Sequence, residues 1–190
     1  MSIIYFNVED LKQACSRGEK FTYLLFYGHT MLSTDSDMRP CLSQWWPCRF
    51  TLGDYKFSSA EQCMMLAKAF LFKDYQSANL ILETNDPKRA RDLGRNIANF
   101  DSVLWDQYKF GYIVQGNYAK FSQNKDLCDY LLSTGNSILV EASPRDAIWG
   151  IGMSSSSAFA TDPLKWRGQN LLGFAVTKVR EMLKADGYVL

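Results

Sequence analysis

The sequence predicts a mainly α-helical protein with a few short β-strands, folded as a single compact domain. Most segments with a regular pattern have the spacing and start signals of helices, whereas the strand candidates are each only about four or five residues long. The chain of 190 residues is 47% hydrophobic and 22% charged, which is ordinary for a globular protein. A chain of this length is sufficient for one domain with a substantial core.

The N-terminal region is predicted to contain two strands separated by one helix. Residues 3–6 have the composition of a short strand, and residues 8–17 form a short helix that is closed by Gly18. Residues 23–27, Y-L-L-F-Y, are a second strand that ends at Gly28. These elements are short, so they contribute little to the predicted fold class.

An irregular loop and a hairpin follow. Two prolines and the polar run S-T-D-S-D make residues 29–47 irregular. Trp45 and Trp46 lie in this loop, and although such rings usually serve packing, they also suit the wall of a site for a planar ligand. A hairpin is predicted at residues 49–57, because a Gly-Asp pair is typical of a β-turn.

The stretch at residues 58–72 is the central element of the sequence. It begins with a capping box, formed either by Ser58 with Glu61 or by Ser59 with Gln62. Beyond that start the helix has no polar stripe, and a helix that is apolar on all sides belongs in the protein interior.

Glu61 and Lys68 are the charged residues of this helix. They are seven residues apart, about two turns, and therefore project from nearly the same face. A buried carboxylate and a buried ammonium are costly unless they are paired or used in chemistry. Two interpretations stay open from this helix alone. Either Glu61 caps its own helix and Lys68 extends to the surface, or both belong to a functional site.

Helices are predicted for most of the remaining chain. Asp-Pro starts one of them, a closing glycine ends another, and the last has a single apolar stripe. Their predicted ranges are residues 75–83, 86–94, 101–122, 126–132 and 174–184.

A second polar segment lies between these helices. Residues 138–142, I-L-V-E-A, alternate like a brief strand that carries Glu141. Asp146 and Trp149 follow in a segment rich in turn residues, where catalytic groups are often placed. The serine-rich tract at residues 153–163 is predicted to be flexible and could serve as a lid.

Composition bears on the partners, the location and the cofactors that we expect for this protein. The net charge of +1 gives no electrostatic stripe for nucleic acid, so any such contact would be local. The five cysteines include no C-x-x-C pair, which predicts reduced thiols and a cytoplasmic location. His29 is the single histidine, so a site built mainly on imidazoles is excluded and no zinc site is expected. No metal and no cofactor are predicted. No signal peptide or membrane span is predicted.

A series of short motifs in a fixed order resembles the NADAR family, also called YbiA-like. The motifs are L-S-Q-W at 42–45, S-A-E-Q at 59–62 with Lys68, L-G-R at 93–95, Trp105, K-F at 120–121, V-E-A-S at 140–143, D-A-I-W-G at 146–150 and N-L-L-G at 170–173. The likeness covers roughly residues 21–183. We therefore predict an N-terminal extension at residues 1–20, packed on a NADAR/YbiA-like domain at residues 21–190.

The resemblance implies a mainly helical, YbiA-like fold and a metal-independent N-glycosidase activity. Two substrates are associated with such proteins: guanine that carries an ADP-ribose, and phosphoribosylamino-pyrimidine intermediates of riboflavin biosynthesis. Both join the anomeric carbon of a ribose to an exocyclic amino nitrogen. We expect ADP-ribosylated guanine, as a nucleoside or within DNA or RNA, because Trp45 and the serine-rich tract indicate a roomy site. No oligomeric state is predicted.

The resemblance also implies roles for individual residues. Glu61 is the expected proton donor, with a pKa raised by its apolar helix, and Asp146 is the expected ionised carboxylate. Lys68 completes the predicted catalytic set. The predicted substrate-binding residues are three rings suited to stacking and two polar side chains suited to phosphate and ribose hydroxyls: Trp45, Trp105, Trp149, Arg95 and Asn170.

Two alternatives stay open. Lys68 either sets the charge of Glu61 or attacks the opened sugar as a Schiff-base nucleophile. The protein as a whole could also be a module that binds ADP-ribose or a related nucleotide without hydrolysing it. Pure recognition needs rings and an arginine but no acid in a dry pocket, so the paired carboxylates favour an enzyme.

Overall fold

Helices dominate the structure, a computed structural model that describes residues 4–29 and 37–190. Over this part of the chain the α-helices are α1 Val8–Ser16, α2 Ala60–Leu71, α3 Tyr75–Glu83, α4 Pro87–Arg95, α5 Ser102–Ser122, α6 Lys125–Ser133 and α7 Leu171–Ala185. The strands are short: β1 Tyr23–Phe26, β2 Phe50–Leu52, β3 Tyr55–Phe57 and β4 Ile138–Glu141. Two 3-10 turns span Arg39–Leu42 and Pro163–Lys165. The predicted fold class, mainly α with a few short strands, is confirmed.

The predicted strand at residues 3–6 is wrong for the residues that the structure describes. Residues 4–6 are irregular, and residue 3 lies outside the described part of the chain. Tyr5 is nevertheless buried, because its ring meets Phe21 edge-on at 5.4 Å and its hydroxyl donates to Glu19 Oε2 at 2.9 Å. The apolar residues of this segment therefore reflect the burial of the Tyr5 side chain and not a strand.

Most predicted bounds of helices and strands differ from the observed ones by at most two residues, and the start of the last helix differs by more. The last helix begins at Leu171 instead of Phe174, because Asn170 at φ 53° turns the chain directly into the helix. Asn is one of the few residues that adopt this left-handed conformation readily. The predicted irregular loop at residues 29–47 contains the short 3-10 turn, and its residues 30–36 lie outside the described part.

Residue contacts divide the chain into two compact units, residues 1–43 with 129–190, and residues 44–128. Every predicted site residue between Trp45 and Trp105 falls in the second of these units, whereas Asp146, Trp149 and Asn170 fall in the first. The predicted boundary between residues 20 and 21 stays a prediction.

Helix α2 is the centre of the unit formed by residues 44–128, and it packs against α3, α4 and α5. Ser59 caps it by accepting a hydrogen bond from the Gln62 amide N–H, so the capping pair is Ser59 with Gln62. The Gln62 side-chain amide is itself buried and donates to the carbonyls of Ile81 at 2.9 Å and Thr84 at 2.8 Å. This contact fixes the end of α3 against the start of α2.

Close packing of α2 against α4 depends on a glycine. A Cβ at Gly94 would overlap the Met65 side chain, so the two helices can approach this closely only without one. The approach brings the Gly94 carbonyl within 2.7 Å of Lys68 Nζ. Helix packing thus positions one of the predicted site residues.

The unit that contains residues 129–190 is built on a parallel pair of strands. β1 pairs with β4 in the register Tyr23 to Ile138 through Phe26 to Glu141, and α7 packs on β4. All four residues of β4 are buried, as expected for a parallel strand covered by a helix. Helix α1 packs against the Pro163–Lys165 turn through a face on which Leu11 and Ala14 are fully buried.

Candidate active site

The first polar cluster lies on helix α2. Glu61 is only 4% exposed, and its backbone N–H donates to the Gln44 carbonyl at 2.9 Å. Lys68 lies further along the helix and is half-buried. The structure brings the two charges near enough for the negative charge of Glu61 to act on the pKa of Lys68. Glu61 is thus buried and Lys68 only partly so, and a role of the two residues in a functional site stays a prediction.

Lys68 Nζ lies between a carbonyl and two aromatic rings. It donates to the Gly94 carbonyl, lies 4.1 Å from the centre of the Phe100 ring and 5.6 Å from that of Trp105. Burial lowers the pKa of Lys68 below its ordinary value, and the charge of Glu61 opposes that shift. The amine is thus more readily deprotonated than a surface lysine, while its neighbours still stabilise the charged form.

The predicted binding residues of this unit surround the cluster to different extents. Trp105 is half-buried, faces Lys68 and stacks on Tyr112 at 6.2 Å and 21°. Arg95 is exposed in the last turn of α4, next to the glycine whose carbonyl holds Lys68. Trp45 is half-buried, with the Arg91 guanidinium 5.0 Å from the centre of its ring. Trp105 therefore belongs to the Lys68 environment, and Trp45 to a separate cation–π contact.

The second polar cluster is the loop that follows β4. Asp146 is half-buried, and its Oδ1 accepts the backbone N–H groups of Ile148 at 2.9 Å and Trp149 at 2.8 Å. These two hydrogen bonds fix the loop around the aspartate. Trp149 is half-buried in the same turn. The structure therefore brings these two predicted residues together.

Glu141 lies at the end of β4 and approaches the same loop. It is 8% exposed, and no described residue hydrogen-bonds its buried Oε2. A Cβ on Gly150 would lie 2.8 Å from the Glu141 carbonyl oxygen and 3.0 Å from that of Asp146, so the two backbones converge there. Burial raises the pKa of Glu141 to about 8, and the negative charge of Asp146 adds to the shift. Near neutral pH this carboxyl group holds its proton.

The predicted substrate contact of Asn170 is wrong. Its side chain is fully buried, and it donates from Nδ2 to the Leu139 carbonyl at 2.9 Å while its Oδ1 accepts the Glu141 N–H at 2.9 Å. The Asn170 amide thus makes the two hydrogen bonds that a neighbouring strand would make with the backbone of β4. Asn170 holds Glu141 in position and has no exposed surface to offer a substrate.

Sequence reasoning missed Glu141 as an acid. The signal was present, because Glu141 is the single charged residue in the apolar run I-L-V-E-A and belongs to the quoted motif V-E-A-S. An alternating pattern does not reveal that both faces of the strand are covered, whereas in the structure all four residues of β4 are buried. Lys120 of the K-F motif is similarly fully buried.

The structure adds two observations about ions and membranes. No group of three or more His, Cys, Asp or Glu side chains in the described ranges is arranged to hold a metal ion. Within the same ranges, no helix combines the length and the apolar character that a bilayer crossing requires.

Comparisons with known proteins agree with this architecture. The model of the NADAR domain family matches residues 25–184. An N-glycosidase of Acanthamoeba polyphaga mimivirus is 45% identical over 144 residues, which are 73% of this chain and 85% of that protein. A riboflavin biosynthesis protein of Vibrio vulnificus (strain YJ016) is 29% identical over 146 residues, which are 75% of this chain and 35% of that protein.

A solved structure supports the fold. The NMR structure of the E. coli protein YbiA has a TM-score of 0.68 and 22% sequence identity, covering 90% of this chain and 92% of that chain. At this identity the likeness concerns the fold, and it confirms the predicted YbiA-like architecture. Because the family model spans most of the sequence and the mimivirus relative is similar over most of both chains, the chain belongs to the NADAR domain family.

Proposed function

We propose that this protein hydrolyses the bond between ribose C1 and an exocyclic amino nitrogen, and that its preferred substrate is ADP-ribosylated guanine. The enzyme class, a hydrolase acting on N-glycosyl bonds, follows from the NADAR family and from the relative named as an N-glycosidase. The preference for ADP-ribosylated guanine goes further than this class, and the chemistry below supports the cleavage of the bond that both candidate substrates share.

Cleavage of this bond requires a proton for a poor nitrogen leaving group and stabilisation of positive charge at the sugar carbon. Two carboxyl groups in different environments can divide this work. The proton passes from the acid to the departing nitrogen as the C1–N bond breaks. A water oxygen then bonds to C1, and the carboxylate takes the proton of that water.

The observation that carries the proposal is the pairing of Glu141 with Asp146. Burial beside a second negative charge raises the pKa of Glu141 to about 8, so its carboxyl group is protonated at neutral pH and can act as the acid. Asp146 accepts two backbone N–H groups and is the carboxylate that orients water or a ribose hydroxyl. The Trp149 ring is suited to stacking on the base.

The rival assignment, predicted from the sequence, places the acid at Glu61 with Lys68 beside it. Glu61 is as buried as Glu141, and the lowered pKa of Lys68 suits an amine that attacks C1 of the ring-opened imine. The bond from C1 to the base nitrogen then breaks, the base leaves as its free amine, and water hydrolyses the Schiff base that remains on Lys68. The two assignments differ in the protonation that they require. Hydrolysis by Glu141 and Asp146 needs a proton that is lost near pH 8, whereas attack by Lys68 needs a neutral amine.

A second candidate substrate is the phosphoribosylamino-pyrimidine class. The relative named as a riboflavin biosynthesis protein favours it, although this chain covers only 35% of that protein. The bond to be broken is the same in both substrates, so one acid and one carboxylate serve either.

The test is hydrolysis of ADP-ribosyl-guanosine and phosphoribosylamino-uracil under identical conditions, with the released guanosine or aminopyrimidine measured by chromatography and mass spectrometry. We expect faster release from ADP-ribosyl-guanosine and strong loss of activity with Glu141→Gln. Faster release from phosphoribosylamino-uracil would show that the phosphoribosylamino-pyrimidine class is the preferred substrate. Tight binding of ADP-ribosyl-guanosine without hydrolysis would identify a binding module instead.

A further inference from the structure

The serine-rich tract borders a cavity that is open to solvent and lies next to the Asp146 loop. The cavity has a volume of about 420 Å³, and its lining includes Pro144, Gly152, Ser154, Phe159, Lys165 and Arg167. This volume is within the range of sites that hold small molecules. The tract is folded as consecutive turns, in which Ser157, Ala160 and Asp162 donate backbone N–H groups to the residues three positions earlier.

Two positive charges face this cavity. Lys165 and Arg167 are exposed, and no carboxylate in the described ranges forms an ion pair with either side chain. Asp162, the nearest acid in sequence, accepts the Leu164 N–H instead. A pocket with two unpaired cations and serine hydroxyls is suited to an anion that carries several oxygens, and an arginine can bind phosphate with two parallel hydrogen bonds.

The cavity also offers an aromatic surface. The Phe159 side chain lines it and is 53% exposed, which is unusual for a large apolar ring. Such a ring can stack on a nucleobase. An exposed ring and two cations that line one cavity are suited to a nucleotide, because the ring can stack on the base and the cations can bind the phosphates.

Backbone contacts connect the cavity to the Asp146 loop. The Gly152 N–H donates to the Asp146 carbonyl at 3.1 Å, and the Arg167 N–H donates to the Ile151 carbonyl at 3.0 Å. Gly152 has φ +68°, and a Cβ there would lie 3.0 Å from Arg167 Cβ. The cavity wall and the loop that carries Asp146 are therefore one packed segment.

We propose that this cavity binds the ADP part of an ADP-ribosyl substrate. Lys165 and Arg167 hold the diphosphate, and Phe159 stacks on the adenine. The inference rests on the proposed function, because it takes the ribose to lie beside Asp146. It deepens that function by giving a physical basis for substrate choice, since a phosphoribosyl compound has one phosphate and no adenine with which to fill the cavity.

The experiment is calorimetric binding of ADP-ribose, ADP and ribose 5-phosphate to the full chain. We expect wild type to bind ADP-ribose at least about tenfold more tightly than ribose 5-phosphate, since the diphosphate adds charge-assisted hydrogen bonds. The double variant Lys165→Gln, Arg167→Gln should bind ADP-ribose and ADP at least about tenfold more weakly, with ribose 5-phosphate changed less than about twofold. Phe159→Ala should weaken ADP-ribose about threefold to tenfold.

Matched controls are Lys88→Gln and Arg89→Gln, two exposed cations on α4. They should leave all three affinities unchanged. Unchanged ADP-ribose binding in the double variant, or equal losses for ADP-ribose and ribose 5-phosphate, would overturn the inference.

Hydrolysis of ADP-ribosyl-guanosine by wild type, measured separately, keeps the two conclusions distinct. Hydrolysis with failed cavity binding rejects the cavity and leaves the enzyme. Cavity binding without hydrolysis supports the cavity and rejects the enzyme.

Discussion

The two polar clusters of this protein place their carboxyl groups in opposite electrostatic environments. Glu61 on α2 is buried with a cation, Lys68, on the same helix, whereas Glu141 on β4 is buried near a second acid, Asp146. A neighbouring cation favours the ionised form of a carboxyl group, and a neighbouring anion favours the protonated form. Glu141, whose pKa is raised to about 8 by burial and by Asp146, is therefore the carboxyl group suited to donating a proton at neutral pH.

The clusters also differ in what holds them. Lys68 is positioned by helix packing, through the carbonyl of a glycine that lets α4 approach α2. Glu141 is positioned through its backbone, because the Asn170 side chain binds both the Glu141 N–H and the Leu139 carbonyl of the same strand. Changes in helix packing should affect the first cluster, and changes in the strand should affect the second.

The largest expected effect comes from removing the proton donor. Glu141→Gln keeps the shape of the side chain, and we expect the rate of N-glycoside hydrolysis to fall about 10²- to 10⁴-fold. The pH–rate profile of wild type should decline above about pH 8, as Glu141 ionises, and this alkaline limb should be absent from the residual activity of the variant.

Glu61→Gln is the matched comparison, a buried acid replaced by its amide in the other cluster. Any fall in its rate should leave the alkaline limb in place. Loss of the alkaline limb in Glu61→Gln but not in Glu141→Gln would identify Glu61 on α2 as the proton donor.

The second prediction concerns stability and pH. Between about pH 4.5, the ordinary pKa, and about pH 8, the folded protein holds a proton on Glu141 that the unfolded chain has released. The free energy of unfolding should therefore fall by about 1 kcal/mol per pH unit through this window, relative to Glu141→Gln. Denaturant unfolding of both proteins at several pH values measures the difference.

Comparison with Glu141→Gln cancels the contribution that other carboxyl groups make to the free energy of unfolding. One of these is Asp74, whose pKa is lowered by hydrogen bonds from Ser77 and Ala98. Parallel stability curves for the two proteins would show that Glu141 has an ordinary pKa.

The third prediction tests Lys68 as a nucleophile. If Glu141 and Asp146 perform the hydrolysis, Lys68→Met should lower the rate only about tenfold, which is the size of one lost charged hydrogen bond. Treatment of wild type with borohydride during turnover of ADP-ribosyl-guanosine, followed by intact mass measurement and peptide mapping, should give no ADP-ribosyl adduct on Lys68. An adduct at this residue would establish the Schiff-base route and assign the chemistry to the α2 cluster.

The smallest expected effect tests the packing that positions Lys68. Gly94→Ala should lower the free energy of unfolding by about 1–3 kcal/mol, because the new Cβ overlaps Met65. Gly111→Ala on α5 is the control, since a Cβ there meets nothing within 4 Å. It should raise stability by about 0.5–1 kcal/mol through helix propensity. Equal effects of the two substitutions would show that α2 and α4 are not closely packed at Gly94.

The sequence was a good guide to local structure and a partial guide to the site. The ends of α3 were predicted to the residue, and α2, α4 and α5 nearly so, because helix spacing, caps and closing glycines are local signals. The short strand at residues 3–6 failed because an apolar run of that length does not specify a strand without a partner. The N-L-L-G motif identifies Asn170 but does not reveal that its amide binds the backbone of β4, which leaves it no surface for a substrate.

The sequence by itself determined the family, the helical architecture and the residue types from which the site is built. Each of these follows from the spacing of apolar residues or from the order of short motifs, which are visible along the chain. Tertiary structure decided which acid keeps its proton, since the pKa of Glu141 depends on burial and on Asp146, neither of which is visible along the chain. It also decided that Lys165 and Arg167 face one cavity with Phe159. Electrostatics and cavity shape arise from groups that only folding brings together.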